Sequence, residues 1–82
     1  MAKLTKIVET YEINDDDVKK LTKTTETYEV DYQTEVDEMI DEAQNAREYN
    51  LVAHTLKFKP AKYKKEELVK DEYYILTLKK EF

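Results

Sequence analysis

The side chains that could do chemistry fall into four groups, and none has the spacing of a catalytic set. His54 is the single histidine. It lies in the alternating run Leu51–Lys59, on the same side as Val52, Leu56 and Phe58. That position reads as a core or edge histidine, because a general base needs a convergent partner and a pocket, and the sequence points to neither. Asp15, Asp16 and Asp17 are consecutive carboxylates, but the glycine and distal glutamate of a calcium loop are missing. They read as a capping turn, with no metal site. Asp37, Glu38, Asp41, Glu42 and Glu48 recur at helical spacing. They form either a solvated helix face or an acidic ridge for a basic partner. Lys57, Lys59, Lys62, Tyr63, Lys64 and Lys65 interleave bases with aromatics, as single-strand nucleic-acid binders do.

Composition narrows the choice. The chain has no cysteine, so it has no disulfide, no thiolate metal site and no cysteine nucleophile. It also lacks glycine, which removes the phosphate-cradling and dinucleotide-binding glycine loops and the nucleophile elbow. Catalysis is therefore not expected, and no cofactor is. A net charge of −5 opposes indiscriminate phosphate binding. The charge is uneven: residues 1–55 hold 14 acids and 6 bases, and residues 56–82 hold 5 acids and 8 bases. An acidic body with a basic patch can associate with itself as well as with others. No apolar run is long enough to span a membrane and the first residues lack a signal-peptide core, so a cytoplasmic protein is expected.

The elements that must position these groups follow from periodicity. Thr34–Asn50 predicts a helix: Val36, Met39, Ile40, Ala43 and Ala46 form one apolar stripe. Thr34 is the expected N-cap with Asp37 or Glu38 as its capping-box partner, and Asn50 the expected C-terminal residue. Arg47, at the stripe's margin, is expected to lay its stem on the core. Before the helix comes an internal repeat. KLTKIVETYEI (Lys3–Ile13) and KLTKTTETYEV (Lys20–Val30) match at an offset of 17 residues and both alternate, as strands do. After the helix, Leu51–Lys59 and Glu72–Lys80 alternate too, the latter with Tyr74, Leu76 and Leu78 toward the core and Tyr73 and Ile75 on a partly apolar second face. Pro60 ends the third strand. Residues 60–71 read as a polar connection with a helical turn at Glu66–Lys70. The lack of glycine predicts long connections rather than tight hairpins.

The expected fold is α+β: a single small two-layer domain over residues 1–82, with one main helix on a four-stranded, mostly antiparallel sheet, in the order β-β-α-β-β. Its unpaired edges and its second face predict a homodimer. The first repeat copy, Lys3–Ile13, is expected at an edge.

The block YEVDYQTEVDEMIDEAQ, YNLVAHTLKFK and DEYYILTLKKEF, within residues 28–82, resembles small accessory proteins of phages and mobile elements of low-GC Gram-positive bacteria. The resemblance rests on a tyrosine-rich strand, an acidic helix and a closing strand, and residues 3–13 lie outside it. It implies a viral accessory protein that works by binding a host nucleic-acid-handling or defence protein in the host cytoplasm. The leading expectation is thus a non-enzymatic inhibitor whose helix carboxylates engage a basic protein. One helical turn spaces them by about 5.4 Å, near the roughly 6–7 Å between phosphates along a DNA strand, so the row imitates DNA. The alternatives are nucleic-acid binding through Lys57–Lys65 and a self-assembling structural module.

Overall fold

The computed structural model describes residues 2–82. Strands dominate it, as the abundance of Thr, Tyr, Val and Ile requires. The two repeat copies form β1 (Lys3–Ile13) and β2 (Lys19–Val30), which pair antiparallel as a hairpin. α1 (Gln33–Asn45) and β3 (Asn50–Lys59) follow. Next come two short strands, β4 (Lys62–Lys64) and β5 (Glu67–Lys70), and finally β6 (Tyr73–Glu81). The main sheet has the order β1-β2-β6-β3, and every neighbouring pair is antiparallel. The last strand is therefore inserted between β2 and β3, which run parallel to each other across it. The α+β architecture with one helix and a four-stranded antiparallel sheet is as expected; a separate β4–β5 hairpin is added to it.

The helix packs on one face of the sheet. Val36 and Ala43 from α1 meet Val30, Leu76 and Leu78, and among the described residues these five are the buried apolar ones. Tyr28, Met39, Ile40, Tyr49, Leu51 and Tyr74 pack around them. On β6 the inward set is the one the alternation indicates. β1, at the sheet edge, is exposed along its whole length. The molecule is long and thin, with extents of 60 × 25 × 17 Å.

Several local expectations are corrected. The helix begins one residue before Thr34, and Tyr32 is its N-cap without a side-chain hydrogen bond. The Tyr32 carbonyl accepts the Glu35 and Val36 amides at 3.1 and 3.2 Å, while Asp37 accepts from the Gln33 side-chain amide instead of closing a capping box. The helix ends at Asn45, five residues early, where the Asn45 side-chain amide donates back to the Asp41 carbonyl at 2.9 Å and Ala46 turns extended. Stopping there lets Tyr49 and Leu51 reach the core, an apolar gain that outweighs the favourable helix propensity of Arg47 and Glu48. Arg47 is exposed and Asn50 opens β3. An irregularity between Leu51 and Ala53 puts Leu51 on the helix side and leaves Val52 exposed.

The segment 60–71 is not a helical turn but the β4–β5 hairpin. Its two-residue turn, Lys65–Glu66, has both residues left-handed, φ 51° and 67°. Primed hairpin turns demand that geometry, and here residues other than glycine or asparagine adopt it at some cost in strain. Tight turns are thus built without glycine. The Asp15–Asp17 stretch is a capped turn: the Asn14 side-chain oxygen accepts the Asp16 and Val18 amides at 3.0 and 3.1 Å, and Asp17 is left-handed at φ 59°.

Candidate interaction surfaces

Pairing fixes which residues share a side of the sheet. Tyr28, Val30, Tyr74, Leu76 and Leu78 lie under the helix, and alternation carries Glu26, Lys80, His54, Leu56 and Phe58 onto that side. Thr25, Thr27, Ile75, Thr77, Lys57 and Lys59 therefore lie on the open side.

The acidic ridge is only partly assembled. Asp37, Glu38, Asp41 and Glu42 are all exposed on α1. Asp37 and Asp41 accept hydrogen bonds from Gln33 and Asn45 of the same helix at 3.2 Å each. Among the described residues, none of these four carboxylates forms an ion pair. Glu48 is also exposed, but it lies in the connection to β3, because the helix stops before it. The ridge therefore comprises Asp37, Glu38, Asp41 and Glu42 without Glu48. Glu38 and Glu42 rim a shallow hollow of about 400 Å³ that also involves Ala2, Glu35 and Met39.

The basic stretch is divided among elements. Lys57 and Lys59 stand on β3, Lys62 and Lys64 on β4, and Lys65 in the hairpin turn. Lys57 beside Lys59 presses the Lys59 pKa down, and Lys62 adds to the effect. Tyr63 is 68% exposed. Lys64 pairs in register with Glu67, which dilutes the positive charge at the hairpin tip. Phe58 is not a core residue; it stacks at its edge on Tyr74, with ring centroids 5.3 Å apart. His54 sits opposite Leu78 on the edge strand β3 and is exposed. Among the described residues no cluster of three His, Cys, Asp or Glu side chains could hold a metal ion.

One polar cluster was not expected. Glu26 and Lys80 form an ion pair at 2.9 Å, with side chains only 12% and 13% exposed. The same Glu26 oxygen accepts the Tyr28 hydroxyl at 2.5 Å, and Thr24 donates to the other at 3.4 Å. The Lys80 ammonium also lies 4.4 Å from the centre of the Tyr49 ring. Burial pushes the Glu26 pKa up, but the Lys80 ammonium and the two hydroxyls outweigh it and hold it below its ordinary value. For Lys80, burial pushes down while Glu26 and Tyr49 more than offset it, so its pKa is raised. Tyr28 is raised by burial and by its carboxylate neighbour. The signal was present in the sequence: Glu26 falls on the Tyr28–Val30 side of its strand, and Lys80 on the Leu76–Leu78 side of its own. The cluster joins β2 to β6 and closes the end of the core.

On the open side, Lys70 lies 4.1 Å from the centre of the Tyr73 ring and 3.8 Å from Glu29. The expected apolar patch of Tyr73 and Ile75 is thus partly covered by the chain itself. Exposed large apolar side chains are instead most numerous on β1, where Leu4, Ile7, Val8, Tyr11 and Ile13 are all exposed. No family model, curated protein or solved structure matches the chain. No helix among the described residues is long and apolar enough to cross a membrane.

Proposed function

We propose that the chain works by binding a protein rather than by catalysis, and that the carboxylates of α1 meet a basic surface of its partner. The observation that carries this reading is charge separation across the sheet. Asp37, Glu38, Asp41 and Glu42 project from the layer above one side, whereas Lys57 and Lys59 belong to the other. The sheet keeps these opposite charges from neutralising each other, so the helix field is available to an outside cation. The hollow edged by Glu38, Glu42 and Met39 suits the stem and charge of a lysine or arginine. The resemblance of residues 28–82 to phage accessory proteins suggests as partner a nucleic-acid-handling or defence protein of a host cell, which would be inhibited in its cytoplasm.

The test compares native protein with the Asp37→Lys/Asp41→Lys variant as immobilised bait in nuclease-treated lysate of a low-GC Gram-positive bacterium. Both substitutions are at exposed positions, so the circular dichroism spectrum and thermal transition should be unchanged. The native bait is expected to retain a basic protein that elutes as salt rises, and the variant to retain several-fold less. Equal retention by the two baits, or none by the native one, overturns the reading.

The second reading is nucleic-acid binding by Lys57, Lys59, Lys62, Tyr63, Lys64 and Lys65. It is favoured by the mutual repulsion that lowers the Lys59 pKa, which a phosphate backbone would relieve. A labelled single-stranded oligonucleotide that shifts with native protein but not with Lys57→Glu/Lys59→Glu selects it.

A further inference from the structure

The β1–β2 hairpin is a repeat unit paired with its own copy, and it shows how that unit recognises itself. Each residue of β1 has a counterpart 17 positions later in β2. In the hairpin, Lys3 lies opposite Glu29, the counterpart of Glu12, and Glu12 lies opposite Lys20, the counterpart of Lys3. Leu4 faces Tyr28 and Tyr11 faces Leu21, again reciprocally. Val8 faces Thr25, its own counterpart. The register shifts at Thr5 and at its counterpart Thr22. Even the side-chain bonds correspond: Thr5 donates to the Thr27 carbonyl at 3.1 Å, and Thr22 to the Thr10 carbonyl at 3.0 Å. The hairpin therefore has a local two-fold axis through Val8 and Thr25, and the unit is self-complementary when antiparallel.

The other side of β1 is the edge of the sheet. It is eleven residues long and lacks proline, the residue that most simply blocks strand addition. We propose that this edge binds a second copy of the chain, β1 against β1, antiparallel and centred on Val8. In that register Val8 faces Val8 of the second copy, Leu4 faces Tyr11, Lys6 faces Thr10 and Lys3 faces Glu12. Lys3 meets a glutamate, Leu4 meets Tyr11 and Val8 meets Val8, the favourable cross-strand pairs of this register, while Ile7 lies opposite Glu9 as it lies opposite Glu26 in the hairpin. The opposite edge of the sheet offers less: β3 carries Lys57 and Lys59 and no acid, so two copies of it could form no lysine–glutamate pair. The two-fold axis closes the assembly at two chains and makes one eight-stranded sheet. The helix carboxylates play no part in this contact.

The test uses the full chain. Sedimentation at about 100 µM, well above the micromolar range of weak complexes, is expected to give twice the chain mass. Val8 is 47% exposed and faces an uncharged threonine within its own chain, so charge is tolerated there in the monomer. Val8→Lys and Val8→Glu place like charges together only on the dimer axis. Each variant alone is expected to sediment as one chain with its thermal transition retained, and an equimolar mixture to return to two. Val8→Cys, the only thiol in a chain that has no cysteine, is expected to oxidise to a dimer linked through position 8, whether or not the charged variants fold. A native mass of one chain, a mass above two, charged variants that stay dimeric, a mixture that stays monomeric, or a Val8→Cys protein that does not cross-link each overturns the proposal.

Discussion

At the scale of single residues, the Glu26–Lys80 pair is the most consequential interaction, because nearly all other charges are solvated. Surface pairs such as Lys70–Glu29 contribute little. Glu26 is different: its side chain is 12% exposed, and one of its oxygens serves both Lys80 and Tyr28. Lys80→Met keeps the packing on Tyr49 but leaves that carboxylate with hydroxyl donors alone, and is expected to cost about 2–3 kcal/mol in a urea melt. Glu26→Gln is expected to cost less, about 1–2 kcal/mol, since an amide still accepts from Tyr28. The pH dependence follows from the direction of each shift. Glu26 is depressed in the folded chain, so its contribution is complete above its ordinary value of 4.5 and fades as pH falls through the folded value. Lys80 is raised, so its contribution is complete below 10.5 and fades as pH rises through the folded value. Tyr28, also raised, fades on the same alkaline side. Stability measured against pH should hold level between these limits, and Glu26→Gln should flatten the acid limb. An acid limb of the same slope in that variant would assign it to other carboxylates.

At the scale of elements, β1 contributes to the fold very unevenly. It gives the sheet a full hydrogen-bonded neighbour for β2, yet none of the five buried apolar residues lies in it. A chain lacking residues 1–13 is therefore expected to keep a cooperative thermal transition by circular dichroism, lowered by the loss of Ala2 packing and of the β1 ladder. Loss of the transition would show that the first repeat copy is integral to the domain. The long strands and the helix were legible because their periods, 2 and 3.6, recur over enough residues to be distinct. The edge position of β1 was expected because the first repeat copy lies outside the resemblance; its apolar content gave no sign of exposure, since Ile7 and Val8 stand where β2 has Thr24 and Thr25. The β4–β5 hairpin was not legible, since Lys65–Glu66 carries none of the usual turn chemistry and takes its left-handed form from the strands it joins. Nor was the end of α1, where the burial of Tyr49 and Leu51, distant in sequence from their contacts, decides the boundary. That misplacement removed Glu48 from the acidic ridge while leaving Asp37, Glu38, Asp41 and Glu42 in place. Glu26 and Lys80 went unrecognised because only the insertion of β6 beside β2 brings them together.

At the scale of the whole molecule, the proportions set the energetics. A body of 60 × 25 × 17 Å has much surface for its length of chain, and among the described residues five make its buried apolar core. Exposed apolar side chains are ordinary when scattered, but here Leu4, Ile7, Val8, Tyr11 and Ile13 follow one another along a single edge strand. Pairing through that strand would couple association to folding, because two folded chains must come apart before either can unfold alone. Anything that binds only the folded state stabilises it by mass action, and a second copy is such a ligand at its own concentration. Unfolding enthalpy near 60 °C is about 0.7 kcal/mol per residue, or roughly 115 kcal/mol for two such chains together. With that enthalpy, a hundredfold rise in protein concentration is expected to raise Tm by about 9 °C. A monomer has no such dependence, so the Val8→Lys variant should melt at one temperature across the same range. Scanning calorimetry at high concentration, with circular dichroism at low concentration, covers the interval. A native Tm that does not move with concentration, while the protein sediments as two chains, would mean that the chains separate before they melt and that the dimer adds nothing to the stability of the fold.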